Sequence, residues 1–376
     1  MSAESYNMGR REDVRKGRES LTADRETLIR KKIRAVFGQN TGISGFNPLA
    51  GDASSRRYFR ALLENPGGPP SVIAMDFSSA NALPLSSEEL GVFTEPVTEL
   101  PFLNVHRFLM KIGVRVPQLY GAWPTEGILL LEDLGNTALW DRVQGLPETE
   151  ILGWYRKALD ELLKLQIRGT RDADASCMAF RQRFDSVLYM WEFEHFIEYG
   201  LSKRVAVRPP ATALLREIFE KVARRLEEQP ATLNHRDYHS WNLMIHGEDV
   251  AVIDFQDALM APAQYDLASL LNDRITDRII TPPLESMLLD YYFERRAAEV
   301  GEPTSRDLFI EIYLLSAVQR DFKVVGRFYY LDMVKGKPGY TQFIPPTLRR
   351  LKRNLGRLPQ LQQLIPVLTE YWGELR

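Results

Sequence analysis

Between residues 231 and 257 the chain reads ATLNHRDYHSWNLMIHGEDVAVIDFQD. Two apolar runs, Leu243–Ile245 and Val250–Ile253, flank the turn-forming His246-Gly247-Glu248-Asp249, which predicts a hairpin. Asp237 and Asn242 lie just before the first run and Asp254 just after the second, so the hairpin brings all three to one end. Oxygen ligands of this kind suit Mg²⁺, a hard ion that prefers carboxylate and amide oxygens and completes its shell with water and phosphate. Asn242 and Asp254 are the metal candidates. Asp237 is the catalytic candidate, able to accept the proton of a substrate hydroxyl while that oxygen attacks a γ-phosphate in line. The chemistry indicated is phosphoryl transfer, in which a protein chiefly positions groups and neutralises charge.

The elements that must position this cluster change character along the chain. Residues 28–37 have apolar side chains at helical spacing and stop at Gly38. Candidate strands follow at Phe46–Ala50, Arg56–Leu63 and Ser71–Phe77, with the turn Glu64-Asn65-Pro66-Gly67-Gly68-Pro69-Pro70 between the last two. Residues 45–77 therefore read as an antiparallel meander. Residues 78–100 read as a loop, 101–112 as a helix, and 116–123 and 127–131 as two further strands. From Glu148 the pattern is helical (148–168, 180–200, 210–228), interrupted only by strands at 231–234, 243–246 and 250–255. The expected fold class is α+β: a small antiparallel sheet at about 42–131, then a large helical region from about 135. The expected domains are a disordered extension over 1–21, a nucleotide-binding lobe over 22–133, and a catalytic and substrate-binding lobe over 134–376.

Composition narrows the class. The 376 residues carry 48 Lys and Arg against 50 Asp and Glu, a net charge of −2. This argues against a general binder of nucleic acid or anionic membranes. With 44% apolar residues the chain can bury a real core. The single cysteine, Cys177, excludes an internal disulfide and a cysteine-based zinc site. No run of 18 uncharged apolar residues is present, and MSAESYNMGRREDVRKGRES has no apolar stretch of a secretory signal. A cytoplasmic protein without an obligate protein partner is expected.

The spacing H-x-D-x-x-x-x-N followed by I-D-F resembles the catalytic and metal loops of protein kinases. The continuation IDFQDALMAPAQYDLASLLND, residues 253–273, is more similar to the aminoglycoside phosphotransferase and choline kinase superfamily. It looks most like the bacterial kinases that phosphorylate the anomeric hydroxyl of N-acetylmuramate and N-acetylglucosamine. The likeness extends to GDASSRRYFR (51–60), LLLEDLG (129–135) and QRDFKVVGRFYYLDMVKGKPGY (319–340), and so covers roughly residues 25–370.

That resemblance implies a bilobal protein-kinase-like fold, ATP and Mg²⁺ as cofactors, and a small sugar as substrate. It implies that Ser54 and Ser55 cover the ATP phosphates and that Glu132-Asp133-Leu134 is a hinge meeting adenine through its backbone. Met75 stands where protein kinases place the phosphate-binding Lys of the third strand. Arg56 or Arg57 is the expected replacement, with Arg57 favoured. Strand alternation puts Arg57 on one face and Arg56 with Arg60 on the other, which leaves both faces open. On the substrate side, His239 touches the acceptor or packs under the loop. Asp257 holds a second metal or a sugar hydroxyl. Arg320 binds the carboxylate of an N-acetylmuramate-like ligand or braces a helix. Competing readings are another small-molecule phosphotransferase of this fold, such as one acting on aminoglycosides, and a nucleotide-binding pseudokinase scaffold.

Overall fold

The computed structural model describes residues 23–49, 56–77, 99–301 and 305–375. The N-terminal extension and the turn with Ser54 and Ser55, expected at the ATP phosphates, lie outside the described residues. The chain divides into two compact units, one formed by residues 1–101 and 116–135, the other by 102–115 and 136–376.

The first unit starts with α1 (Ala23–Phe37), which has Asp24 and Glu26 in its first turn and Arg34 in its last, matching the helix dipole. Gly38, at φ 109°, ends it. The strands β1 (Gly42–Leu49), β2 (Arg57–Glu64), β3 (Ser71–Asp76), β4 (Leu119–Trp123) and β5 (Ile128–Glu132) form one antiparallel sheet in the order β1-β2-β3-β5-β4. Ile29 and Ile33 of α1 bury against Phe59, Ala61, Leu63, Val72, Ala74, Ile128 and Leu130. Alternation therefore sends Tyr58, Arg60, Ile73, Met75, Leu129 and Leu131 to the opposite face. The expected meander is present, with strand ends within a few residues of the sequence reading.

The second unit is mainly helical. It contains α2 (Pro101–Lys111), from Phe102 onward, and α3 (Glu148–Leu163), α4 (Ser186–His195), α5 (Pro209–Glu227), α6 (Gln264–Leu271), α7 (Pro282–Val300), α8 (Arg306–Met333) and α9 (Ile344–Gly356). Two small antiparallel pairs lie among them. β6 (Ala231–Asn234) pairs with β9 (Leu259–Pro262), and β7 (Leu243–His246) with β8 (Asp249–Val252). β9 was not expected: Leu-Met-Ala-Pro lacks β-branched residues, and only its pairing with β6 makes it a strand. The helix expected over 180–200 is divided into a 3₁₀ turn at Met178–Arg181, α4, and a π-helical segment, Phe196–Ser202. Asp185 caps α4 by accepting the Leu188 N–H at 2.8 Å.

Helix α8 is the spine of this unit, with 28 residues and a largely buried surface. It lies so close to the π-helical segment that a Cβ added to Gly326 would stand 2.7 Å from Phe196 Cα. His106 is buried against Phe102 and Phe255, so it is a packing residue. Among the described residues no helix is long and apolar enough to cross a membrane.

Candidate active site

The loop between β6 and β7, residues 235–242, is held from several sides. Its first two amides donate to one carboxylate: His235 N–H to Asp266 Oδ2 at 2.5 Å and Arg236 N–H to Asp266 Oδ1 at 2.9 Å. Asp266, on α6, is fully buried. Burial pushes its carboxyl up to about 6, against the pull of His235 and these amides. The turn it holds is strained, with Arg236 at φ 80°. His235 accepts the Asp237 N–H on Nδ1 (3.3 Å) and donates from Nε2 to the Ile253 carbonyl (2.9 Å), so the ring carries its proton on Nε2. Further along, the Tyr238 hydroxyl donates to the Ala158 carbonyl at 2.7 Å and Trp241 stacks on Trp140 at 4.7 Å.

The hairpin brings the three predicted residues together at one end. Ile253 N–H donates to the Asn242 carbonyl at 3.0 Å, extending the β7–β8 ladder by one rung and setting Asp254 beside Asn242. Asn242 Nδ2 donates to the Asp237 carbonyl at 3.0 Å. Its Oδ1 takes no hydrogen bond among the described residues. Asp254 is exposed and sits at φ 65°. Gln256 Nε2 donates to both Asp254 Oδ1 (2.9 Å) and Asp257 Oδ2 (3.2 Å), which places Asp257 next to the pair. Among the described residues no group of three or more His, Cys, Asp or Glu could hold a metal by itself. An amide oxygen and an exposed carboxylate fit an ion that takes few protein ligands and completes its shell with water and phosphate.

Asp237 faces solvent with 44% of its side chain exposed, yet its other side meets buried cations. Arg320 Nη2 lies 3.6 Å from Asp237 Oδ1, and Arg320 Nη1 donates to the Arg236 carbonyl at 2.8 Å. Glu192 of α4, 1% exposed, binds Lys323 Nζ at 3.0 Å, Gln319 Nε2 at 2.6 Å and Arg236 Nη2 at 3.3 Å. Burial alone would raise the Asp237 carboxyl. The charges of Lys323 and Arg320 outweigh burial and hold it well below the usual carboxylate range. Asp237 is therefore an ionised, solvent-facing acid at any physiological pH.

Of the two roles read for Arg320, contact with a substrate carboxylate or bracing by an ion pair, the geometry favours the second. The Arg320 side chain is 2% exposed, and it braces the loop and Asp237. His239 lies inside the loop, with Nδ1 buried and unpaired, and burial lowers its ring pKa. The sequence reading missed Glu192, Arg236 and Lys323 as parts of the site. The one available signal was the spacing of Gln319, Arg320 and Lys323, which share a face of α8.

In the first unit the geometry also bears on Arg57. It lies opposite Asp76 in the β2–β3 register, on the α1 face, whereas Met75 points to the other face. Asp76 is fully buried and binds Arg57 Nη2 at 2.6 Å and Arg25 Nη2 at 2.7 Å. Arg57 thus closes the α1 face of the sheet, paired with Asp76, and lies on the face opposite Met75. Arg60, on the Met75 face, grips Asp133 with Nε at 2.6 Å and Nη2 at 2.8 Å, and Ser71 Oγ donates to the same carboxylate at 2.6 Å. Arg56 lies half-buried just ahead of β2. The Glu132 carboxylate accepts the Gln118 N–H at 3.0 Å, its own N–H donates to the Gln118 carbonyl at 2.8 Å, and Leu134 is 6% exposed.

Comparison with known proteins places these features in a family: residues 45–302 match the phosphotransferase enzyme family, and the chain belongs to it. It is 30% identical over 322 residues to the N-acetylmuramate/N-acetylglucosamine kinase of Pseudomonas aeruginosa, covering 84% of this chain and 86% of that one. It is 31% identical over 331 residues to the kinase of the same name from Neisseria meningitidis, covering 86% and 90%. Among solved structures it is similar to choline kinase from Cryptosporidium parvum, with a TM-score of 0.60, 11% identity, and 90% and 99% of the two chains covered. An ADP-bound aminoglycoside phosphotransferase gives a TM-score of 0.56 at 15% identity, covering 87% and 97%. The fold is the protein-kinase-like one of these phosphotransferases, with an antiparallel N-terminal sheet and a helical C-terminal region, and the protein is a phosphotransferase.

Proposed function

We propose that the protein is an ATP-dependent sugar kinase that phosphorylates the anomeric hydroxyl of N-acetylmuramate and N-acetylglucosamine. The observation that carries this reading is Asp237: an ionised, solvent-facing carboxylate braced by Arg320, in a hairpin that also presents Asn242 and Asp254. The names of relatives that align along most of the chain supply the acceptor.

In the reaction the sugar hydroxyl donates a hydrogen bond to Asp237, its oxygen attacks the γ-phosphorus, and the bond to the β-phosphate oxygen of ATP breaks to release ADP. The hydroxyl proton passes to Asp237. A carboxylate of such low basicity contributes first by orienting the hydroxyl and takes the proton late, as suits a loose phosphoryl-transfer transition state. Asn242 and Asp254 would hold a Mg²⁺ that arrives with the triphosphate, and that ion would supply charge neutralisation at the phosphate oxygens. Asp257, tied to Asp254 through Gln256, supports that pair or meets a sugar hydroxyl. His239 lines the acceptor side. We assign nucleotide binding to residues 22–133, with Ser54, Ser55 and Arg56 at the phosphates and the backbone of Glu132–Leu134 at adenine. Catalysis and acceptor binding fall to 134–376.

The test is incubation of the protein with ATP, Mg²⁺ and each N-acetylated sugar, with products assigned by phosphorus NMR. A sugar 1-phosphate from either sugar is the expected product. Turnover of aminoglycosides alone moves the substrate elsewhere in the family, and nucleotide binding without turnover of any acceptor makes the chain a scaffold.

A further inference from the structure

N-acetylmuramate differs from N-acetylglucosamine by one lactyl ether that ends in a carboxylate. In a site that takes both, a cation that engages the first sugar only would set the preference between them. Arg320 is too deeply buried for this role. Another arginine has the required properties.

Arg274 follows α6 by three residues, and its guanidinium lies 4.8 Å from the ring of Trp241, the loop residue just ahead of Asn242. On another side it meets the ring of Phe343 at 5.7 Å. Among the described residues its one ion-pair partner is Asp273, at 3.6 Å, too far for a hydrogen bond. The guanidinium makes no hydrogen bond among the described residues, and its side chain keeps 16% exposure. Five N–H donors in a fixed fork are thus aimed by stacking and left open, the form that binds carboxylates in a bidentate manner.

The backbone at Arg274 is also strained. Among the described residues, Arg236, Asp254 and Arg274 are the non-glycine residues with positive φ. The first two belong to the catalytic loop and the metal pair. Such strain persists where surrounding structure over-determines it, and it gathers at functional sites. Arg274 is held at φ 39° by Arg350, whose Nη1 donates to the Arg274 carbonyl at 2.8 Å and whose Nη2 is anchored on buried Asp321 at 2.6 Å. His239, between Asp237 and Trp241 in sequence, feels the charges of Asp273, Arg274 and Asp237 together.

We infer that Arg274, stacked on Trp241, is the residue that recognises the lactyl carboxylate of N-acetylmuramate and sets the preference between the two sugars. This rests on the sugar-kinase reading above. The experiment measures kcat/KM for both sugars, and for N-acetylmuramate amidated at its carboxylate, in the wild-type protein and in Arg274→Met. The ratio of kcat/KM for N-acetylmuramate over N-acetylglucosamine should fall about 10- to 100-fold in the variant, the range for losing hydrogen bonds between charged groups. Amidation should cost the wild-type protein a similar factor and cost Arg274→Met little. Arg274→Lys, which keeps the cation but loses the fork, should fall between them and serves if the methionine variant does not fold. An unchanged ratio, or a loss that is equal for both sugars, overturns the assignment. A wild-type protein that phosphorylates neither sugar overturns the underlying function instead.

Discussion

Each unit buries a group of ionised side chains, and the two groups are built differently. In the β-rich unit the two acids Asp76 and Asp133 are saturated. Asp76 holds two arginines, and Asp133 holds the fork of Arg60, the Ser71 hydroxyl and the Gly135 N–H at 3.0 Å. In the helical unit, Glu192 gathers Lys323, Arg236 and Gln319, but Asp237 is reached only at 3.6 Å and stays open to solvent. Charges that are fully satisfied fix β-strand register and helix docking. A charge biased by cations but left unfilled keeps lone pairs for a visiting hydroxyl.

The difference is broken most sharply at Asp237. Asp237→Asn keeps the size and removes the charge, and kcat should fall by about 10²- to 10⁴-fold, the usual contribution of a proton acceptor. Steady-state assays with nucleotide binding followed separately would show it, and near-normal turnover would remove Asp237 from its role. In the other unit, Asp76→Asn should leave Arg25 and Arg57 without their buried counter-charge. A stability loss of about 3–5 kcal/mol is expected in denaturant titrations, the cost typical of breaking a buried ion pair.

Arg57→Ala takes away only one of the two cations on Asp76. A loss of about 1.5–3 kcal/mol is expected, with KM for ATP changed by less than about twofold. A large rise in KM for ATP with stability intact would return Arg57 to the nucleotide. The smallest effect is expected at Lys323. Because its charge lowers the Asp237 pKa, the wild-type kcat/KM should show no acid inflection from Asp237 between about pH 5 and 8. Lys323→Met weakens the pull on the carboxylate, so the Asp237 pKa rises and the acid limb moves to higher pH. Coincident profiles would show that Lys323 serves packing alone.

What the sequence made legible follows from how local each signal is. The hairpin that gathers Asp237, Asn242 and Asp254 could be read because they sit within eighteen residues and a four-residue turn joins its strands. The meander was legible from alternation and from a Pro- and Gly-rich turn. The Glu192 cluster was not, because its partners lie 44 and 127 residues away, and an acid in the helix MWEFEHF reads as a surface charge. The face of Arg57 was not legible for a related reason. Alternation separates two faces, but only the position of α1 decides which face is covered. Arg274 carried no signal at all, since its significance depends on a ring thirty-three residues earlier.

Gly326 gives the close contact between α8 and the π-helical segment a consequence for inheritance. Replacing its hydrogen with a methyl would press on backbone atoms, 2.7 Å from Phe196 Cα, and these cannot yield as a flexible side chain can. Helix α8 would have to slide or tilt, and Arg320 and Lys323, less than two turns away, would travel with it. A codon change far from any reacting atom would thus detune the acid proposed to receive the proton. The position should admit no larger residue in any descendant that still works, unless Phe196 and its neighbours shift in the same lineage.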